Sequence, residues 1–234
     1  MLLKLLKRQS FRKSHIIRYF KYLKKEAVSK EIKVLNELSH PSIVKIQEVY
    51  EGQNHLYIIL ELLKGGDLHS RKKPLQSMSI EIIAYIVMQL IEGLEHMHSR
   101  GYMHRDMKPS NVAFKDEVGF LVKIIDFGFV EFLDSLNYSI KKCGTPGYLA
   151  PEIFINNCYD EKIDIYSLGI ILFSLVSSFI INLDGGNPYK GPTYKGTIKN
   201  NKEGKINFID KYKDKPSCKF SLIFSLQISS SLFT

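Results

Sequence analysis

Eight consecutive residues, His104-Arg105-Asp106-Met107-Lys108-Pro109-Ser110-Asn111, put a carboxylate, an ammonium and an amide within six positions of one another. A carboxylate can take the proton of a hydroxyl, an ammonium can neutralise an anionic oxygen, and carboxylate and amide oxygens are hard ligands for a small divalent cation. A second carboxylate, Asp126, follows twenty residues after Asp106, in Asp126-Phe127-Gly128, directly behind the apolar run Val122–Ile125. Ala150-Pro151-Glu152 then closes a long segment carrying glycines and prolines. Taken alone, Asp106 could be no more than a loop cap. The ordered set is far more specific than any one of its triplets.

That order resembles the eukaryotic protein kinase family, whose signature is this loop, an Asp-Phe-Gly triplet and an Ala-Pro-Glu triplet in sequence. The resemblance covers about Lys24 to Lys195. It implies an α+β, bilobal fold with a small β-rich lobe to about Leu63 and a larger, mostly helical lobe after it. It implies transfer of the γ-phosphate of ATP, with Mg²⁺, to a serine or threonine hydroxyl of a protein substrate. Asp106 would be the catalytic base and Lys108 would reach the transferring phosphate. Asn111 and Asp126 would hold Mg²⁺, both offering the hard oxygens it requires. A lysine at 108 resembles the serine/threonine branch. The wording Cys143-Gly144-Thr145-Pro146-Gly147-Tyr148 resembles most the calcium/calmodulin-dependent group, or the neighbouring cyclic-nucleotide-dependent group, with Thr145 facing the substrate.

The same resemblance makes Leu56–Leu63 the strand and hinge of a nucleotide pocket. Leu60 would be its gatekeeper, and the backbone of Glu61 and Leu63 would bond the adenine edge. Asp67 would meet the ribose and Ala113 would lie under the base. Glu31, nine residues before His40-Pro41, would hold a phosphate-binding lysine; its bland alternative is a solvated helix glutamate. Leu35, Ile46, His104 and Phe127 would stack between the lobes, His104 as a packed structural residue. Asp164 would anchor the catalytic-loop backbone.

The pattern departs from the family in three places. The first glycine is Gly52, so no glycine-rich loop precedes Glu31, and the nearest candidate for the phosphate-binding lysine, Lys21 in Ile17–Lys21, is only ten residues before Glu31, too close for it to be assigned. Arg105 is the last arginine, so Glu152 has no downstream arginine to pair with. Both features resemble a domain cut at its two ends, lacking the glycine loop and the late helices. Two readings stand: an ATP-dependent serine/threonine kinase, or a non-catalytic kinase-like binding module. Regulation departs as well. The position two before Cys143 is Lys141, which cannot carry a phosphate, so the kinase, if completed at both ends, is expected to be active without phosphorylation of the segment after Phe127; Ser139 is the best shifted site, ahead of Ser135 and Tyr138.

The elements that must position these groups are partly legible. Val28, Ile32, Leu35 and Leu38 give a helix over 24–39, stopped at His40-Pro41. Ile43–Tyr50 and His55–Leu62 read as a hairpin. Ile80, Ile83, Ala84, Val87, Ile91, Leu94 and Met97 give a helix over 79–98, with Ser79 as N-cap. Val112–Phe114 and Leu121–Ile125 read as strands, and Asp164–Ile181 as a buried helix.

The chain has 234 residues, 44% apolar and 24% charged, enough for one large domain or two lobes. Its net charge of +9 resides in residues 1–30, which hold ten Lys/Arg against Glu26; the other 204 residues hold 23 of each sign. Residues 1–23 therefore read as a basic arm, 24–212 as the partial kinase domain and 213–234 as a Ser/Phe/Leu-rich tail. The arm has aromatics among its cations but no nucleic-acid-reading motif, so no nucleic-acid partner is expected. Three scattered cysteines give no disulfide framework or zinc site. No secretory h-region is present, and the apolar run Leu168–Leu183 is too short and too serine-rich to span a bilayer. A cytoplasmic location is expected, with a nuclear one open; nothing in the sequence sets an oligomeric state.

Overall fold

A computed structural model of the protein describes residues 15–21, 25–51, 55–71, 78–133, 142–155, 158–181 and 187–204. Most of the basic arm, the tail 213–234, Lys141 and the shifted phosphosites Ser135, Tyr138 and Ser139 lie outside the described residues.

The first part is a three-stranded antiparallel sheet with one helix. Strand β1 (His15–Lys21) is followed by helix α1 (Lys25–Glu37), then by β2 (Ile46–Glu51) and β3 (His55–Glu61). The strand order is β1-β3-β2. The hairpin stands as expected, and β1 adds to it from inside the stretch read as a basic arm. That is a correction to the expected arm: His15–Lys21 pairs residue for residue with β3. Alternation decides which side of the sheet faces the helix. Ile58 and Leu60 share one core with Val28, Val34, Leu35 and Leu38 of α1 and its C-terminal flank.

The second part is mostly helical. Helix α2 (Ile80–His98) leads through the two-residue strand β4 (Tyr102–Met103) and a 3₁₀ turn (Pro109–Asn111) to β5 (Val112–Phe114) and β6 (Val122–Ile124). Strand β7 (Glu131–Phe132), α3 (Glu152–Ile155), α4 (Lys162–Ile181) and α5 (Tyr194–Glu203) follow. β5 pairs with β6 and β4 with β7, both antiparallel. Among the described residues no helix is long and apolar enough to cross a membrane.

The stripe expected on α2 is displaced. Ile83, Val87, Leu94 and Met97 are buried, but Ile80, Ala84 and Ile91 are exposed, and Ile86, Gln89, Leu90 and Gly93 take their place. The reason is that α2 is covered on one broad side, by α4 and β6. Gln89 belongs there because its amide accepts from Val122 N–H at 3.0 Å and donates to Phe120 C=O at 3.1 Å. Ser79 occupies the N-cap position with extended backbone but makes no side-chain cap bond.

The small lobe meets the large one through α1. The Tyr102 hydroxyl, at the start of β4, donates to Glu37 in the last turn of α1. Burial first, then the bond to Glu37 and its charge, push the Tyr102 phenol up to about 12. A raised folded value means the neutral phenol stabilises the fold; that contribution is whole below about 10, the ordinary tyrosine value, and is lost as pH rises to about 12. Thermal unfolding followed between these pH values should therefore fall more steeply for the wild type than for Tyr102→Phe. Parallel curves would contradict the Tyr102–Glu37 contact.

Candidate active site

The site is built on one buried carboxylate. Asp164, in the first turn of α4, is fully buried, and its two oxygens accept the backbone N–H groups of His104 and Arg105, each at 2.8 Å. His98 Nε2 lies 3.0 Å from the same carboxylate. These bonds hold Arg105 at φ +66°, a left-handed conformation that non-glycine residues rarely adopt and that costs about 1–3 kcal/mol. Its side chain is held too: Nε donates to Phe129 C=O at 2.7 Å, and the other nitrogens reach Tyr159 Oη at 3.4 Å and Glu131 at 3.2 Å.

The turn at Arg105 presents Asp106, 4% exposed, at the mouth of the loop. Oδ2 of Asp106 accepts from Lys108 Nζ at 2.6 Å and from Asn111 Nδ2 at 3.1 Å. Oδ1 accepts from the Thr145 hydroxyl at 2.6 Å. Lys108 Nζ also donates to Thr145 Oγ1 at 2.8 Å. Asp106, Lys108, Asn111 and Thr145 are thus one hydrogen-bonded group, although Thr145 is 39 residues from Asp106. Gly144 permits this approach. It has φ +112°, and a Cβ there would lie 2.8 Å from Arg105 C=O and 2.5 Å from Leu149.

Asn111 also donates to Asp106 C=O at 2.8 Å. Both its bonds use the amide nitrogen, so the oxygen is what it has to offer a cation. Asp126 lies two residues beyond the end of β6, at φ +65°. Asn111 C=O accepts Ile125 N–H at 2.9 Å, which ties the two segments together; a carboxylate and an amide oxygen are the kind of hard donors that suit Mg²⁺. His104 is fully buried. Its Nδ1 accepts from Asp106 N–H at 3.3 Å and its Nε2 meets Ile125 C=O at 3.2 Å, so the proton sits on Nε2. Its ring packs edge-on against Phe127 at 5.3 Å. This is a structural histidine, not an acid or base.

The residues expected to meet adenine and ribose lie on β3, on the run after it and on β5. The chain after β3 runs beside β5: Lys64 N–H bonds Lys115 C=O at 2.9 Å, and Gly65 N–H bonds Phe114 C=O at 3.1 Å. Gly65 has to be glycine, because a Cβ would lie 2.3 Å from Asp116 C=O and 2.4 Å from Phe114 Cβ. The run places Asp67 beside Ala113, the two forming an antiparallel bridge, and Leu63 and Ala113 are both buried in the same core. Asp67 Oδ1 accepts from the N–H groups of His69 and Ser70 at 2.9 and 2.8 Å, so one of its oxygens caps a turn. Glu61 was expected to act through its backbone alone. Its side chain also accepts from Lys45 N–H at 2.7 Å and pairs with Lys123 at 2.8 Å, fixing the hinge to β6. Glu31 is 2% exposed, which removes the solvated reading.

Several positioning residues were not legible. Asn201 on α5 is fully buried; it donates to Leu149 C=O at 2.8 Å and accepts Gly147 N–H at 2.9 Å, so α5 supports the Thr145 segment. Glu131 pairs with both Arg105 and Lys30. Burial alone would push its carboxyl up; the Lys30 hydrogen bond and charge, with Arg105, more than offset this and hold it below the usual carboxylate range. Glu152 has no arginine partner in the sequence; it lies near Tyr166, whose phenol is pushed up by burial first and then by Tyr189, with a smaller part from Glu152.

The family model described as "Protein kinase domain" matches residues 5–219. The chain belongs to the protein kinase family. It is 34% identical over 197 residues to probable serine/threonine-protein kinase fhkC of Dictyostelium discoideum, covering 83% of this chain and 32% of that protein. It is 35% identical over 157 residues to calcium/calmodulin-dependent protein kinase type 1 of Macrobrachium nipponense, covering 67% and 45%. Over 180 residues it is 34% identical to calcium-dependent protein kinase 3 of Plasmodium yoelii yoelii, covering 76% and 32%. The chain therefore spans less than half the length of each of these relatives. The match beginning at residue 5 includes β1, in keeping with its place in the sheet.

Removing the Asp164 carboxylate should be severe. Asp164→Ala leaves two buried N–H groups without acceptors, at about 1–3 kcal/mol each. Chemical denaturation should show that loss, and Asp164→Asn should recover part of it. A near-unchanged midpoint for Asp164→Ala would contradict the anchoring role.

Proposed function

We propose that this chain is the catalytic domain of an ATP-dependent serine/threonine protein kinase. One observation carries the reading: Lys108, Asn111 and Thr145 converge on the Asp106 carboxylate, with the Asp126 segment following on from the adjoining strand. Phosphoryl transfer is mostly positioning and charge stabilisation, and these residues supply both.

Asp106 holds the acceptor hydroxyl and takes its proton. The Thr145 hydroxyl, donating to Oδ1, shows that a hydroxyl fits against this oxygen. Lys108 lies against Oδ2, from where its ammonium would neutralise charge on the transferring phosphate. Asn111 and Asp126 would hold Mg²⁺, which when bound neutralises charge on the phosphate oxygens. The backbone of Glu61 and Leu63 would meet the adenine edge, Ala113 its face and Asp67 the ribose, with the acceptor a serine or threonine of a protein.

The basic partner of the phosphates and of Glu31 is to be sought among the cations of β1: Arg18 pairs with Ile58 in the ladder, and Lys21 with His55 at its end.

Asp106→Asn should abolish phosphotransfer to a Ser/Thr peptide with Mg²⁺-ATP affinity nearly unchanged. Asp126→Ala should weaken Mg²⁺-ATP binding as well, and one of Arg18→Ala and Lys21→Ala, the one that removes the phosphate partner, should raise KM for ATP. Equal Mg²⁺-ATP binding by the wild type and Asp126→Ala would overturn the metal assignment. Nucleotide binding with no transfer by the wild type would favour a non-catalytic binding module.

A further inference from the structure

Glu131 is the junction of three elements that are far apart in sequence. It opens β7, where the ladder sets it opposite Met103, two residues before Arg105. One of its oxygens accepts from Arg105 of the catalytic loop at 3.2 Å. The other accepts from Lys30 of α1, across 101 positions of sequence. Lys30 immediately precedes Glu31, the buried acid of the same helix. Seven residues on, two helical turns along the same side of α1, Glu37 accepts the hydroxyl of Tyr102 from β4. Tyr102 packs on Phe132 of β7 at 5.3 Å between ring centroids. The β4–β7 ribbon therefore grips α1 at two points, Lys30 and Glu37, and grips the catalytic loop at Arg105.

From this arrangement we infer that Glu131 is a built-in positioning anion. It holds Arg105 and Lys30 together, and so fixes α1, with Glu31, relative to Asp106. Resting on the kinase reading, this gives the site a permanent carboxylate where a switchable enzyme would need an added phosphate to draw an arginine and the helix together. The charges suit that role. Arg105 has its Nε on Phe129 C=O, a second nitrogen near Tyr159 Oη and a third on Glu131, so its guanidinium is engaged on all three nitrogens. Arg105 is only 9% and Glu131 22% exposed in their side chains, so the pair is screened less than a surface ion pair. Residues of one ion-pair network couple, and removal of the shared anion loses both contacts at once.

The test uses the full chain and three variants: Glu131→Gln, which keeps the shape and removes the charge, Lys30→Met, and the two combined. Phosphotransfer to a Ser/Thr peptide is measured before and after phosphatase treatment, and amide hydrogen exchange is read over residues 25–37. Wild-type activity should survive phosphatase. Glu131→Gln should lower kcat about 10-fold, within the coupling range of such networks, with a smaller change in KM for the peptide, and should speed exchange in α1. Lys30→Met should do the same in lesser degree, and the double variant should be no worse than Glu131→Gln alone. Glu131→Asp should recover part of the activity. Loss of wild-type activity on phosphatase treatment, additive single effects, or unchanged exchange in α1 with Glu131→Gln would each overturn the inference. If the wild type transfers no phosphate, the kinase reading fails, and the exchange data alone decide whether Glu131 holds α1.

Discussion

The burial of Asp164 is the constraint on which the site depends. A buried carboxylate is costly unless hydrogen bonds and charge compensate it, and here the compensation comes from the backbone of the catalytic loop. The exchange works in both directions. Asp164 is kept inside by the N–H groups of His104 and Arg105, and those groups fix a strained turn that would otherwise relax. Asp106 then sits where it does because the residue before it cannot move. The long apolar helix α4 supplies the rigid base, with Ile163, Tyr166 and Ile170 buried beside Met103 and Ile153.

The same economy governs the rest of the molecule. Short two-residue strands cannot be stable by themselves, so β4–β7 and its neighbours are held by what they join. The β4–β7 ribbon joins α1 to the catalytic loop; the β5–β6 pair joins the hinge to Gln89 of α2. Polar side chains that look incidental in sequence become the fasteners: Gln89, Asn201 and Glu61 each bond a backbone group of another element. Each bond contributes about 0.5–1.5 kcal/mol, while an orphaned partner costs more, which makes these side chains specific rather than merely stabilising.

Much of the site was legible before the fold because its chemistry fixes residue type and order. Asp106, Lys108, Asn111 and Asp126 could be named from the motif set, and α1, α2, α4, β5 and the hairpin from periodicity. What stayed hidden has physical reasons. β4 and β7 are too short to carry a period of two. Helix α5 is polar and has no apolar stripe; it is set by the Thr193 cap, by Gly204 at φ +63° and by the docking of Asn201. Glu131 gave no signal because its partner Lys30 lies 101 residues away. The strand role of His15–Lys21 was masked by charge: four cations among Lys13, Arg18, Lys21 and Lys24 made a strand look like a solvated arm. On α2, apolar residues occur around more of the helix than the core covers, so composition alone could not tell Ile91 from Leu90.

The central claim is that these groups move a phosphate onto a hydroxyl. It is tested most directly by giving the purified chain Mg²⁺ and ATP labelled at the γ position, with a peptide bearing one serine and one threonine, and analysing the phosphoamino acids formed. The account predicts phosphoserine or phosphothreonine that depends on Mg²⁺ and is absent when the label is at the α position. Bound nucleotide with no labelled hydroxyl, at any Mg²⁺ concentration, would contradict it.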